Sequence, residues 1–237
     1  MGRDHEREDH VVKLDVGCGR GCREGFVGVD RLKLPGVQII HDLDLHPYPF
    51  ADNMVDEVWM DNVLEHLANP LGAMEEIHRI TRPGAIIHIA VPYFRSFYAT
   101  IDPTHRNFFG VHWFNYFDPR HVFFKKYHYS EATFHVEHLE FDREYAQVSK
   151  RKIFYWLMRW IAKKKPAGYE ARLSHFYPLN SLTFHLKTVK DGERPMTSAL
   201  ASLEKGPLEN DKPLPDPSPP DGGAGAAGAG FSWGAGG

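Results

Sequence analysis

The chain has 237 residues, of which 42% are hydrophobic and 25% are charged, as is typical of one globular domain with a tail. Its formal net charge of −3 gives no electrostatic reason to expect nucleic-acid binding, and its two cysteines make a disulfide framework unexpected. With no signal-peptide pattern at its start and no apolar stretch of about 18 residues, it is expected to be cytoplasmic, without a membrane span.

Composition divides the chain into three parts. Residues 1–10 are charged and expected to be loose, and a catalytic core is expected over residues 11–190. Residues 191–237 are rich in Pro, Gly and Ala and are expected to be disordered, because they offer little apolar surface to bury. Near the end, Phe231 and Trp233 suggest a weak docking motif, although a plain flexible tail is favoured.

The first predicted strand, residues 11–16, runs into a glycine-rich turn over residues 17–21. In an open α/β sheet, the turn after the first strand is where a nucleotide-like cofactor binds. A dinucleotide site of the form G-x-G-x-x-G would need glycine where Cys22 stands, and the carboxylate of Asp15 would repel a pyrophosphate. That carboxylate suits a ligand that carries an ammonium and a sulfonium group, which is S-adenosylmethionine (SAM).

Four further strands and one helix are predicted before residue 92. The strands are 26–30, 37–43, 55–62 and 85–91, and the helix is 73–80. The second strand ends in Asp30, the third in Asp42-Leu43 and the fourth in Asp61-Asn62. A turn at Arg82-Pro83-Gly84 is expected to lead into the fifth strand.

In these elements the sequence resembles the class I SAM-dependent methyltransferases, whose first motif, acid-x-Gly-x-Gly-x-Gly, matches residues 15–21. The resemblance implies an α/β fold with a Rossmann-like, doubly wound, seven-stranded sheet, mostly parallel with an antiparallel last strand. It implies that Asp30 binds the ribose hydroxyls and that Asp42 contacts the adenine amino group. The cofactor-binding residues that it implies are Asp15, Gly17, Cys18, Gly19, Asp30, Arg31, Asp42, Leu43, Asp61 and Asn62.

A narrower resemblance is to a subgroup of small, type-11-like methyltransferases with a short first helix. The shared features are a short link from Gly21 to Phe26, a Pro-x-Pro-Phe segment at 47–50, a Leu-Glu-His-Leu at 64–67 and an Asp-Pro-Thr-His at 102–105. Because the short link removes part of the wall around the cofactor, the segment after residue 93 is expected to cover it.

The second half of the chain leaves two alternatives open. The aromatic residues between Tyr93 and Phe124 could line an acceptor pocket or form a local core, and both can hold for different residues. Residues 153–161, followed by Lys163, Lys164 and Lys165, could form a membrane-surface helix or, as is favoured, a helix that packs on the sheet. The last two strands are predicted at 141–148 and 182–189.

His105 is the candidate general base, and Asp102 is expected to orient it or to act itself. The alternative is that residues 102–105 form only a structural turn. Glu65 and His66 resemble part of a Glu-x-x-Glu-His metal motif of some methyltransferases, but Asn62 replaces the first carboxylate. A position for Glu65 at a helix N-terminus is favoured instead, and no metal is expected.

Taken together, these features predict methyl transfer from SAM to an oxygen or nitrogen of a small molecule or glycan. One alternative is an NAD(P)-dependent oxidoreductase, which Asp15 and Cys22 argue against. The other is a degenerate, non-catalytic protein that binds SAM. The predicted partner is the acceptor alone, and the oligomeric state stays open.

Overall fold

A computed structural model describes residues 11–142 and 153–190. Seven strands lie in these ranges: β1 (Lys13–Val16), β2 (Val27–Asp30), β3 (Val37–Ile40), β4 (Val55–Asp61), β5 (Thr81–Pro92), β6 (Phe134–Phe141) and β7 (Ser181–Thr188). The helices are α1 (Pro70–Ile80), α2 (Phe97–Ile101), α3 (Val122–Tyr127), α4 (Ile153–Lys164) and α5 (Pro166–Arg172), with a 3₁₀ turn at Trp113–Tyr116.

The strands form one sheet in the order β3-β2-β1-β4-β5-β7-β6. The pairs from β3 to β5 are parallel, whereas β7 runs antiparallel to both β5 and β6. The predicted mostly parallel, seven-stranded sheet with a reversed last strand is therefore confirmed. Strand order reverses direction between β1 and β4, which is where an open α/β sheet places its ligand crevice.

The core lies along the central strands because their side chains are apolar and buried. Val58 and Met60 of β4 and Ile87 and Ile89 of β5 are fully buried. Helix α1 packs against this core through buried residues at helical spacing, namely Ala73, Met74, Ile77 and Ile80. It begins three residues earlier than predicted, since Asn69 accepts a hydrogen bond from the Gly72 amide at 3.0 Å and Pro70 occupies the first turn.

The connections between β1 and β4 contain no helix, although residues 17–54 are all described. The predicted short link after the glycine turn is thus confirmed, and the next two connections are also turns. Strand β3 ends at Ile40, so Asp42 lies in the turn beyond it rather than in the strand. Strand β5 begins at Thr81 rather than at residue 85, with the predicted turn residues included in the strand.

Part of the aromatic segment forms a local core, with Tyr93, Phe109, Phe114 and Phe117 all buried. The prediction of a strand at 141–148 is wrong in position, because β6 ends at Phe141 and residues 143–148 lie outside the described residues.

Helix α4 contacts β6, as the packing alternative predicted. Among the residues that the structure describes, no helix is long and apolar enough to cross a membrane. The predictions for residues 1–10 and 191–237 fall outside the described ranges.

Candidate cofactor and acceptor site

The glycine turn after β1 is held in a conformation that only glycine adopts without strain. Gly17 and Gly19 have φ angles of +71° and +55°. The Gly17 amide donates to the Val29 carbonyl at 2.7 Å, which ties the turn to β2. A Cβ at Gly17 would clash with the side chain of Val63, so only glycine lets the turn pack against this residue after β4.

Asp30, at the end of β2, connects the turn to the next loop. Its Oδ2 accepts from the Gly19 amide and its Oδ1 accepts from the Leu32 amide, both at 2.9 Å. Each carboxylate oxygen can accept a further hydrogen bond, as a ligand hydroxyl would require.

A cavity of about 530 Å³ opens between these elements, within the usual range for small-molecule sites. We call it the first cavity. Six of the predicted cofactor residues line it: Gly17, Asp30, Arg31, Asp42, Leu43 and Asn62. It is also lined by residues that were not among the predicted cofactor-binding residues: His41, Asp44, Val63, His66, Leu67, Pro103, Thr104 and Arg106.

The predicted residues Asp15 and Asp61 do not line the first cavity, and both contact Arg23 instead. Asp15 is 3% exposed and accepts from the Arg23 amide at 2.8 Å. Burial raises the pKa of Asp15, while that amide and the Arg23 guanidinium act in the opposite direction. The guanidinium lies 3.1 Å from Asp61 Oδ2 and 3.9 Å from the centre of the Trp59 ring. Arg23 was not identified from the sequence, because this residue of the short link belongs to no recognised motif.

Cys18 and Cys22 are joined by a disulfide within the glycine-rich loop. The expectation of no disulfide framework did not anticipate this single bond. Their sulfur atoms lie against Gly28 of β2, where a Cβ would not fit, so the loop packs directly on the strand. Neither Cys18 nor Gly19 lines the first cavity.

A second cavity of about 280 Å³ adjoins the first, with which it shares Asn62 and His66. Its other lining residues are Glu65, Pro92, Tyr98, Ile101, Asp102, His105, Asn180 and Ser181. Both predicted catalytic residues therefore lie here, beside the carboxyl ends of β4 and β5.

Hydrogen bonds determine which ring nitrogen carries the proton on the two histidines of the second cavity. His105 Nδ1 lies 3.1 Å from the Ala99 carbonyl oxygen, which can only accept, so Nδ1 is the donor. The Thr104 hydroxyl donates to Asp102 at 2.7 Å and therefore accepts from His66 Nδ1, 2.9 Å away. In their neutral forms both rings thus keep the lone pair on Nε2. The Asp102 carboxylate accepts from Thr104, whereas the Asp102 carbonyl accepts from the backbone amide of His105 at 3.3 Å.

Glu65 is the buried acid of the second cavity, with 1% of its surface exposed. Neither of its carboxyl oxygens makes a hydrogen bond to another residue in the described part of the chain. Burial, with smaller contributions from Asp61 and Asp102, raises the pKa of Glu65 to about 8, so the group is neutral at pH 7. Its expected position at a helix N-terminus is wrong, since α1 begins only at Pro70 and Glu65 lies in a turn.

Glu65, His66 and His105 bring one ligand atom each within 4.8 Å of the others, which is close enough for a divalent cation. A cation would need the Glu65 carboxylate in its charged form, and burial among further acidic groups opposes that charge.

Comparison with known proteins bears on the choice between the two cofactor classes. Residues 23–89 match the family model described as a methyltransferase domain.

Over these residues the chain is similar to methyltransferase domains.

A protein of Streptomyces fradiae, described as an uncharacterized 37.1 kDa protein in transposon TN4556, is 30% identical over 38% of this chain and 32% of its own length. The chain thus matches about a third of the length of this curated relative.

One solved structure with a similar fold is a complex between the Haloferax volcanii Trm112 methyltransferase activator and a methyltransferase. The sequence identity is 18% and the TM-score is 0.48. The match covers 76% of this chain and 83% of that chain. Another is a SAM-dependent methyltransferase from Archaeoglobus fulgidus, with 15% identity, a TM-score of 0.45, and coverage of 76% and 87%. Likeness at this level says nothing about the acceptor.

The match favours SAM over the dinucleotide of the oxidoreductase alternative. The residues present fit that cofactor, because the first cavity is lined by the backbone of Gly17 and by the carboxylates of Asp30 and Asp42, which can accept hydrogen bonds from hydroxyl and amino groups.

Proposed function

We propose that this methyltransferase transfers the methyl group of SAM to an oxygen or nitrogen of a small molecule or glycan bound in the second cavity. The observation that carries the proposal is His105, whose Nδ1 donates to the Ala99 carbonyl and whose Nε2 keeps its lone pair beside that cavity. A cytoplasmic location, expected from composition, stays a prediction.

The residues proposed to hold SAM are those at the first cavity. Gly17 would present its backbone to the ligand, Asp30 would accept from the ribose hydroxyls, and Asp42 would contact the adenine amino group. When bound, SAM supplies a methyl group activated by its sulfonium.

His105 is proposed as the general base that takes a proton from the acceptor hydroxyl or amine. A neutral imidazole suits this role near neutral pH. Asp102 acts as a positioning residue through Thr104, which fixes the tautomer of the neighbouring His66. Because Glu65 is protonated, it can donate a hydrogen bond to the acceptor. Its buried surroundings would also disfavour an acceptor that places a charged group beside it.

Release of S-adenosylhomocysteine from a panel of hydroxyl and amine acceptors tests the proposal. His105→Ala should lower turnover by roughly a hundredfold to ten-thousandfold, the usual contribution of a general base, with unchanged SAM affinity. His128→Gln is the matched control, since His128 is half-exposed and pairs with Glu131 outside both cavities.

Near-normal turnover in His105→Ala would show that His105 is not the general base. Loss of turnover in EDTA would favour a divalent cation at Glu65, His66 and His105. SAM binding without product release from any acceptor would support the non-catalytic alternative.

A further inference from the structure

Helix α4 has two apolar faces, and the described residues, 11–142 and 153–190, cover only one of them. Tyr155, Met158 and Ala162 are buried at helical spacing on the inner face. On the opposite side, Ile153, Leu157 and Trp160 repeat the same spacing but are 87%, 45% and 59% exposed. A helix that is apolar on both faces normally buries both, so the outer face has the composition of an interface.

Basic residues flank this helix at both ends. Seven lysines and arginines lie between residues 150 and 165, and no Asp or Glu occurs between Glu144 and Glu170, although the whole chain has a net charge of −3. They are Lys150, Arg151, Lys152, Arg159, Lys163, Lys164 and Lys165.

Helix stability explains only half of this charge pattern. Lysines at the C-terminus of α4 interact favourably with the helix dipole, but the first turn of α4 lacks the acidic residue that the dipole would favour there. An anionic partner would account both for the lysines and for the absence of acidic residues from this part of the sequence.

The helix is attached to the same edge of the sheet as the second cavity. Arg159 Nε donates to the carbonyl of Phe141, the last residue of β6, at 2.9 Å. The next residue, Asp142, accepts from the amide of Ser181, which lines the second cavity. Phe176, 86% exposed, lies in the turn between α5 and β7 at this edge.

We propose that α4 is an interfacial helix that docks the protein on an anionic lipid bilayer, with Ile153, Leu157 and Trp160 entering the headgroup region. Exposed aromatic and aliphatic side chains beside lysines and arginines are the combination that such helices use. A second copy fits less well, since a symmetric contact through this face would bring two basic clusters together.

Flotation of the full chain with vesicles tests the proposal, using phosphatidylcholine alone and an equimolar mixture with phosphatidylglycerol. Binding is expected only to the anionic vesicles and should weaken as salt is added. Replacing Lys163, Lys164 and Lys165 together with Gln should weaken it roughly a hundredfold, given the usual contribution of each basic residue.

The double variant Leu157→Glu and Trp160→Glu should abolish vesicle binding, whereas Val122→Glu should not. Val122 is an equally exposed apolar residue at the start of α3. Circular dichroism and SAM affinity of each variant report whether the fold and the cofactor site are intact. Vesicle binding does not depend on turnover, so it can succeed or fail independently of the proposed reaction.

No flotation with anionic vesicles would overturn the proposal, as would full binding by the double variant. A concentration-dependent dimer that Trp160→Glu dissociates would also overturn it, in favour of a second copy.

Discussion

Replacing Glu65 with Gln is expected to stabilise the folded protein and to lower its activity. The side chain is buried, and its carboxyl oxygens have no hydrogen bond to another residue in the described ranges. Gln has nearly the same shape but cannot ionise, so the substitution removes the cost of keeping this carboxyl protonated in the fold.

The magnitude follows from the pKa of Glu65, which burial raises from 4.5 to about 8. Below pH 4.5 the group is protonated in both the folded and the unfolded chain, so it costs nothing. As the pH rises from 4.5 towards 8, the unfolded chain loses the proton that the folded chain keeps, and the free energy of unfolding falls by about 1.4 kcal/mol per pH unit. At neutral pH the loss amounts to roughly 3 kcal/mol, and it stops growing above the folded pKa.

Urea denaturation of wild type and Glu65→Gln across this pH range measures the difference. The variant should match wild type near pH 4.5 and exceed it increasingly up to about pH 8. Glu24→Gln is the control, because Glu24 is exposed and should give a difference near zero throughout. A Glu65→Gln curve parallel to that of wild type would show that Glu65 ionises in the folded state, which would refute the reasoning. A more stable variant with lower turnover would indicate that the acid is kept for function.

Gly17→Ala should weaken SAM binding, because alanine costs about 1–2 kcal/mol in the left-handed region and its Cβ would clash with Val63. Gly25→Ala is the matched control in calorimetry, since Gly25 has a φ of +78° but open space where a Cβ would lie. Asp30→Asn should raise the SAM dissociation constant about tenfold to a hundredfold by removing a charged acceptor. Unchanged affinity in either site variant would contradict SAM binding in the first cavity.

The sequence was sufficient for β2 and β4, since each is a short, largely apolar run that ends in an aspartate, Asp30 or Asp61. It failed at β5 because Arg82-Pro83-Gly84 has the composition of a turn. The turn signal was real, but it corresponds to an irregularity within the strand: Val55 pairs with Thr81, Glu57 pairs with Ile86, and Gly84 takes a φ of +80°. Whether a turn ends a strand or interrupts it depends on the neighbouring strand, which local composition does not report.

The candidate site was predictable where it follows strand ends, as with Asp30 and Asn62. The burial of Glu65 was not, because contacts distant in sequence produce it. The Glu65 carbonyl accepts from the Arg106 amide at 2.7 Å, and the Asn107 side chain donates to the Leu64 carbonyl at 3.1 Å. These bonds hold the turn after β4 against the segment that follows α2, and nothing near Glu65 in sequence indicates them.

The same contacts explain what forms one wall of the first cavity, given that no helix lies between β1 and β4. Pro103, Thr104 and Arg106 line that cavity from the segment after β5, which is the segment expected to cover the cofactor. Thr104 also contacts His66, which belongs to both cavities. Because one segment covers the first cavity and carries His105 of the second, ordering of this segment by SAM would also position the proposed base. Cofactor binding and acceptor activation are therefore expected to be coupled through residues 102–107.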